Sequence, residues 1–157
     1  MNLNKKKGIM LDIGCGDNKQ QGFVGMDKRK LKGVDIVHDL EKFPYPLPDN
    51  SCLTIVGSHI VEHIKPWLMI DFMNELWRIM KPNGQLALAH PYGVNDLFVQ
   101  DPTHCNACSE RTWQYFDPKY PLYGVYKPSP WSIEAGFPAY QISGCMEIVM
   151  RKSNGKP

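Results

Sequence analysis

The strongest constraint on the fold is a glycine motif that follows a short apolar segment near the start of the chain. Residues 8–13 are typical of a buried strand, and Asp12, Gly14 and Gly16 form the pattern Asp-x-Gly-x-Gly at its end. Glycines at a strand end let the backbone approach a ligand closely, although the motif alone also fits a tight turn. The third glycine of a dinucleotide-binding fingerprint is replaced by Lys19, which counts against a nicotinamide or flavin enzyme.

The rest of the chain alternates between short apolar segments, turns and one longer amphipathic segment. We predict further strands over residues 22–27, 34–37, 52–57 and 85–90. We predict a helix that begins at Pro66 and closes at 80–81 before a turn at 82–84, and a short helix over 110–116. An antiparallel pair is predicted over residues 131–135 and 142–152.

This order predicts an α/β fold with a mostly parallel, helix-covered sheet and an antiparallel closing strand. Only residues 15–22 separate the first two strands. A parallel crossover normally needs about a dozen residues or more, so the helix after the first strand is expected to be shortened or missing.

Composition narrows the class of protein. The chain has 157 residues, 43% of them hydrophobic, which favours one compact domain over residues 1–157. A formal net charge of +2 carries no specific nucleic-acid signal. No apolar stretch of signal-peptide type follows the lysines at 5–7, and no run approaches the roughly 20 residues of a membrane span. Five cysteines are too sparse for a secreted disulfide scaffold, so we expect a cytoplasmic protein.

Candidate ligand-binding residues lie where predicted strands end, because parallel sheets bind ligands at their carboxyl edge. Asp27 ends the second strand, where a carboxylate can accept hydrogen bonds from two ribose hydroxyls. Asp39, after the third strand, can accept from an amino group but also fits a turn. The full predicted set is Asp12, Gly14, Cys15, Gly16, Asp27, Asp39, Leu40 and Ser58.

Histidines form two groups in the sequence. His59-x-x-Glu62-His63 matches an inverted zinc-protease signature, but it follows a strand and soon reaches Pro66 instead of lying on a helix. His104 precedes the single Cys-x-x-Cys of the chain, for which structural cysteines are favoured, so no metal is predicted. With an ordinary pKa of about 6.5, His59, His63 and His104 are candidate general bases. The role of Glu62 is undecided: it could act in catalysis or it could brace a loop.

Five segments together resemble the class I S-adenosylmethionine-dependent methyltransferases. They are LDIGCG, GMD, HDLEKFPYPLPDNS, SHIVEHI and MKPNGQLAL, in the order found in that family and within residues 10–90. DPTHCNACSERTWQYFDP is also similar to a segment of small members. The resemblance implies a Rossmann-like fold and S-adenosylmethionine as cofactor. It implies that Asp12, Gly14 and Gly16 surround the methionine part, Asp27 the ribose, and Asp39 with Leu40 the adenine.

The resemblance predicts methyl transfer to an unidentified acceptor, with a small molecule favoured. Ser-His-Ile-Val stands where DNA amino-methyltransferases carry an Asn/Asp-Pro-Pro-Tyr motif, so base methylation is not supported. Residues 91–135 are expected to form a substrate-side lid within the domain. Two alternatives stay open: a protein that binds S-adenosylmethionine or S-adenosylhomocysteine without catalysis, and a metal-dependent hydrolase that uses His59, Glu62 and His63. The sequence does not indicate an oligomeric state.

Overall fold

An eight-stranded sheet organises residues 8–153, the part of the chain that the computed structural model describes. The lysines at 5–7, on which the expectation about a signal peptide partly rests, lie outside the described residues. The strands are β1 (Ile9–Ile13), β2 (Val24–Asp27), β3 (Ile36–Val37), β4 (Cys52–Ser58), β5 (Met80–Pro91), β6 (Trp131–Ile133), β7 (Ala139–Tyr140) and β8 (Cys145–Lys152). The α-helices are α1 (Met69–Ile79), α2 (Asp96–Val99), α3 (Glu110–Gln114) and α4 (Tyr123–Tyr126).

The sheet is parallel on one side and antiparallel on the other. Its order is β3-β2-β1-β4-β5-β8-β6, and β7 pairs with β8 off this path. Neighbouring strands in the part β3-β2-β1-β4-β5 are parallel, whereas β8 is antiparallel to β5, β6 and β7. The predicted mostly parallel sheet with an antiparallel closing strand is confirmed. The closing pair exists as β6 and β8, with β7 as an additional short strand.

The connection from β1 to β2 contains no helix, as its length predicts. Two carboxylates hold this loop instead. The Gln20 amide donates to Asp12 Oδ2 at 2.8 Å. Asp35 Oδ2 accepts from Lys19 Nζ at 2.6 Å and from the Gly25 amide at 2.8 Å. The loop is therefore tied to β1 at one point and to β2 at another.

Helix α1 forms because apolar side chains recur at helical spacing and pack against the sheet. Its buried face consists mainly of Met69, Phe72, Met73, Leu76 and Ile79. Full burial of such a side chain contributes about 1.5–3 kcal/mol, so this face anchors the helix. The last carbonyls of the helix are capped by the rest of the fold: Arg78 and Ile79 accept from the amides of Asn50 and Ser51.

Both ends of the predicted long helix are corrected by the structure. Residues 66–68 form a 3₁₀ turn, and the α-helix begins at Met69 and ends at Ile79. The predicted turn at residues 82–84 lies inside β5, which begins at Met80. Pairing between β4 and β5 shifts register after Cys52, and Asn83 adopts a positive φ of 62° there. The turn-like sequence therefore forms a local irregularity within a continuous strand.

Residues 91–135 contain α2, α3, α4 and β6. Cys108, Trp113, Phe116 and Trp131 from this stretch are buried in the core. The division of the domain into a body and a lid stays a prediction. Within residues 8–153, no helix has the length and apolar character needed to cross a membrane.

Candidate functional site

A cavity of about 570 Å³ opens at the carboxyl ends of β1, β2 and β4. Six residues predicted from the sequence lie on its wall: Gly14, Asp27, Asp39, Leu40, His59 and His63. The wall is completed by Lys28, Arg29, Glu41, Ile60, Ile64, Lys65, Thr103 and Cys105. Parallel strands end at the same edge, and for this reason residues at or after the ends of β1, β2, β3 and β4 meet there; Thr103 and Cys105 come from a fifth segment.

The other five predicted residues do not line the cavity. Asp12 and Cys15 are buried, and Ser58 is exposed at the end of β4. The Gly16 amide donates to Asp27 Oδ2 at 2.9 Å. The His104 side chain is only 6% exposed. Gly16 supports the lining residue Asp27, and the assignment of all five residues to direct ligand contact stays a prediction.

Gly14 occupies a position where a side chain would meet both backbone strain and the side chain of Ile60. Its φ is +63°, and a Cβ at this position would lie 2.4 Å from Ile60 Cδ1. Its amide donates to the Met26 carbonyl at 2.8 Å, which holds the turn against the end of β2. The absence of a side chain therefore lets Ile60 pack directly against the turn, and the Gly14 backbone lies on the cavity wall.

Asp27 is a buried carboxylate with an ordered set of donors. Its Oδ2 accepts from the Gly16 amide, and its Oδ1 accepts from the Arg29 amide at 2.8 Å and from Arg29 Nε at 3.3 Å. Burial raises the pKa of Asp27, but these hydrogen bonds outweigh burial and hold the pKa below its usual range. The side chain therefore presents a fixed negative charge at the cavity.

Hydrogen bonds and an ion pair hold the part of the cavity wall formed by residues 39–41 and Lys65. Asp39 Oδ1 accepts from the Glu41 amide at 3.1 Å, and Glu41 Oε1 accepts from the Lys65 amide at 2.9 Å. Lys65 Nζ also forms an ion pair with Glu41. The carbonyl of buried Leu40 accepts from the Tyr45 hydroxyl at 2.8 Å. Asp39 thus keeps one carboxylate oxygen without a bond to a described residue.

The three predicted histidines converge on Glu62. His59 Nδ1 lies 3.1 Å from Glu62 Oε1, and His104 Nε2 lies 3.9 Å from the same oxygen. The rings of His63 and His104 are in edge contact, with centroids 4.8 Å apart. His59 adopts a positive φ of 54°, which is uncommon for a residue with a side chain. The two histidine groups of the sequence therefore form one site.

Glu62 is the residue whose importance the sequence left undecided. Its side chain is fully buried, and its backbone carbonyl accepts from the amides of Cys105 and Asn106 at 2.8 and 3.1 Å. This contact brings the segment of His104 onto the turn that carries Glu62 and His63. The sequence did indicate both segments, but it held no signal that they touch.

Two further neighbours were not predicted. Thr103 Oγ1 lies 3.2 Å from His63 Nδ1, and Cys145 Sγ lies 3.8 Å from His59 Nε2. Cys105 Sγ contacts the carbonyls of His63 and Ile64. Cys108 is buried, and burial raises the pKa of its thiol to about 12. Cys108 therefore packs in the core, whereas Cys105 is exposed, and the structural interpretation of the Cys-x-x-Cys stays a prediction.

Comparisons with known proteins identify the fold. No protein-family model matches the chain. A protein of Mycolicibacterium smegmatis named "Probable S-adenosylmethionine-dependent methyltransferase" is 24% identical over 98 residues. That match covers 52% of this chain and 37% of the relative, so the chain spans little more than a third of the relative's length.

Solved structures match over nearly the whole chain. An S-adenosylmethionine-dependent methyltransferase from Archaeoglobus fulgidus superposes with a TM-score of 0.66 at 16% identity, over 96% of this chain and 88% of that one. YcgJ from Bacillus subtilis gives 0.61 at 16% identity, over 98% and 97%. The [4+2]-cyclase SpnF gives 0.60 at 13% identity, over 94% and 76%. The chain has the Rossmann-like α/β fold of the class I S-adenosylmethionine-dependent methyltransferases.

Proposed function

We propose that the protein binds S-adenosylmethionine in the cavity and transfers its methyl group to a small-molecule acceptor. One observation carries the proposal: a single cavity has Gly14, Asp27 and Asp39 on its wall together with His59 and His63. Ligand-holding groups and candidate bases therefore face the same space.

The residues on the wall fit the cofactor. Gly14 lies on the cavity wall without a side chain, so a ligand would meet its backbone there. A carboxylate has about four lone-pair sites, and the protein donors leave Asp27 one site for a ribose hydroxyl. Asp39 would accept from the adenine amino group beside Leu40. Gly14 and Gly16, with Asp12 behind them, would border the methionine part.

S-adenosylmethionine would supply a methyl group that its sulfonium already activates. The protein's task is then to align the acceptor and to accept a proton from it. His59 is the best-placed base, because its side chain is 53% exposed on the cavity wall while Nδ1 is held by Glu62. His59 Nε2 is the nitrogen that would take the proton. His63 also borders the cavity, whereas His104 is buried behind it.

Two measurements test the proposal. Titration calorimetry with S-adenosylmethionine and S-adenosylhomocysteine should show stoichiometric binding of both. A screen for S-adenosylhomocysteine release against hydroxyl, amine and thiol acceptors should then identify a substrate. Failure of both ligands to bind at millimolar concentration would remove the cofactor and the methyl transfer together.

A second candidate is a protein with the same cofactor site but without methyl transfer. The observation in its favour is the likeness to SpnF, whose name is that of a cyclase. This likeness illustrates that fold does not determine reaction. Tight binding of S-adenosylmethionine without S-adenosylhomocysteine release for any acceptor would favour this candidate.

The hydrolase alternative lacks the required helix. The zinc-protease signature needs a helix that sets both histidines on one face. Here residues 61–63 form a single 3₁₀ turn.

A further inference from the structure

Three side chains behind and beside the cavity wall form a group with the chemistry of a metal site. Glu62, His63 and His104, called the Glu62 cluster below, each offer one ligand atom within 4.8 Å of the other two. Glu62 is fully buried and His104 nearly so, while His63 lines the cavity. Cys105 and Cys108, the partners that the sequence suggested for His104, are not part of this group.

Hydrogen bonds determine which nitrogen of His63 is free. The Thr103 hydroxyl donates its hydrogen to Asp101 Oδ1 at 2.7 Å, so at 3.2 Å from His63 Nδ1 it can only accept. In the neutral ring, Nδ1 therefore carries the hydrogen and Nε2 has the lone pair. A histidine whose other nitrogen donates to an oriented oxygen is the usual arrangement of a metal ligand.

His104 has the same arrangement. Its Nδ1 lies 2.8 Å from the Phe98 carbonyl, which can only accept, so Nδ1 carries the hydrogen. In the neutral ring, Nε2 then presents its lone pair to two carboxylates, at 3.9 Å from Glu62 Oε1 and 3.8 Å from Asp101 Oδ2. Lone pairs and negative charges that face one another repel unless a proton or a metal cation lies between them.

Glu62 supplies an independent observation. Its Oε2 is buried and has no hydrogen-bond partner within residues 8–153. A buried carboxylate oxygen without a donor is costly, and proteins normally pair such a group or use it to bind a metal. The unpartnered oxygen belongs to the residue on which the histidines converge.

We propose that Glu62, His63 and His104 bind one divalent transition-metal ion, with Zn²⁺ and Co²⁺ as the matching class. Two imidazoles and one carboxylate suit these ions, whereas Mg²⁺ prefers oxygen ligands alone. Three protein ligands leave a coordination position open, as in catalytic metal sites. Because His63 lines the cavity, that position faces it.

The open position suggests a substrate class, and this step rests on the proposed function. An acceptor that presents an oxygen, such as a hydroxyl or carboxylate, would occupy the position beside His59. A bound divalent ion lowers the pKa of an oxygen ligand, which would make a hydroxyl a better nucleophile. The metal site itself requires neither S-adenosylmethionine binding nor methyl transfer.

Metal binding is tested on full-length protein freed of metal with a chelator. Titration with ZnCl₂ should show one strong site, titration with MgCl₂ should show none, and CoCl₂ should give visible d–d absorption. Glu62→Gln and His104→Ala should each weaken Zn²⁺ binding by at least about tenfold, since even outer-shell changes cost about 10–100-fold. His38→Ala, a histidine outside the cluster, should bind as the parent does.

Glu62→Gln and His104→Ala change buried side chains and could prevent folding. Thr103→Val provides a test in that case, because Thr103 is exposed and orients His63. It should weaken Zn²⁺ binding by about 10–100-fold. Absence of a strong Zn²⁺ or Co²⁺ site in the parent would overturn the proposal. The proposal would also be overturned if the folded variants of the Glu62 cluster, or Thr103→Val, bound Zn²⁺ as tightly as the parent.

Acetohydroxamate, an oxygen chelator, tests the open position. It should change the Co²⁺ spectrum, and an unchanged spectrum would refute the open position. Binding of S-adenosylmethionine to the same preparations is measured separately, so failure of the metal site and failure of the proposed function are distinguishable.

Discussion

Asp12 accepts a hydrogen bond from the Gln20 amide, and this contact fastens the helix-free loop between β1 and β2 to the strand that precedes it. Burial raises the pKa of Asp12, while the Gln20 amide and the charge of Lys19 act in the opposite direction. Asp12 stands at the start of the glycine motif but not on the cavity wall. Its contribution to a ligand is therefore expected to act through the shape of the loop.

Asparagine at position 12 tests this interpretation. Asp12→Asn keeps an oxygen that accepts from Gln20 and removes a buried charge, so cofactor affinity should stay within about threefold of the parent. Asp12→Ala removes the acceptor, and affinity should fall by at least about tenfold, or 1.4 kcal/mol. Titration calorimetry with S-adenosylhomocysteine measures both. Equal losses in the two variants would indicate direct contact through the charge instead.

Asp27→Ala should also weaken S-adenosylmethionine binding. The change removes a charged acceptor, and hydrogen bonds to charged groups contribute roughly 1.5–3 kcal/mol each, so we expect at least a tenfold loss. Asp17→Ala, at an exposed carboxylate in the same loop, is the matched control and should bind like the parent. An Asp27→Ala protein with parental affinity would exclude Asp27 from the site.

Gly14→Ala and Gly22→Ala separate steric overlap from backbone strain. Both glycines have positive φ, but a Cβ meets Ile60 at position 14 and nothing within 4 Å at position 22. Strain alone costs about 1–2 kcal/mol, and overpacking adds about 1–3 kcal/mol at position 14. Urea unfolding should therefore show the larger loss for Gly14→Ala. Ile60→Ala in the same chain should restore part of it, and an absence of rescue would argue against the contact.

His59→Asn should abolish the proposed base while keeping the backbone, because asparagine tolerates positive φ better than most residues. Turnover should fall by about 10²–10⁴-fold, the usual contribution of a general base, with cofactor affinity nearly unchanged. The experiment uses the acceptor found by screening. Unchanged turnover would remove His59 from the chemistry and leave the cofactor site intact.

Stability should depend on pH through His90. This residue is 1% exposed, and burial lowers its pKa below 6.5, with a smaller effect from His59. The unfolded chain then binds a proton that the folded protein excludes, so stability falls as pH drops below about 6.5 until the folded-state pKa is reached. The slope from one such group is at most about 1.4 kcal/mol per pH unit.

Urea unfolding between pH 5 and pH 8 measures this slope. His90→Leu should flatten the profile, and His38→Leu, at a half-buried histidine, should leave most of the slope in place. A parental slope in His90→Leu would assign the pH dependence to other groups.

The sequence predicts the cavity wall well, because local signals and one topological rule suffice there. Asp27, Asp39 and His59 each follow a short apolar strand, and parallel strands bring their carboxyl ends together. The missing crossover helix follows from chain length alone. The start of β5 was harder to predict, because Pro82, Asn83 and Gly84 are typical turn residues although the strand continues through them.

Contacts between distant loops could not be predicted. His63 meets Thr103, and Glu62 meets His104, only because the Glu62 carbonyl binds the amides of residues 105 and 106. No periodicity encodes such a contact, and each histidine alone is as consistent with a structural role as with a site. The expectation that no metal binds rested on adjacent residues in the sequence, whereas the Glu62 cluster arises from the fold.

The strand order has a consequence for how the chain is made. β6 is synthesised before β8, yet in the sheet it pairs with β8 alone. On the ribosome, Trp131 and its neighbours must therefore remain without a strand partner until residues 145–152 have emerged from the exit tunnel. During that interval, the edge of β5 that later pairs with β8 is also unpaired. The nascent chain thus exposes two unpaired strand edges at once, which makes this stage of synthesis the one most open to intermolecular pairing and to chaperone binding.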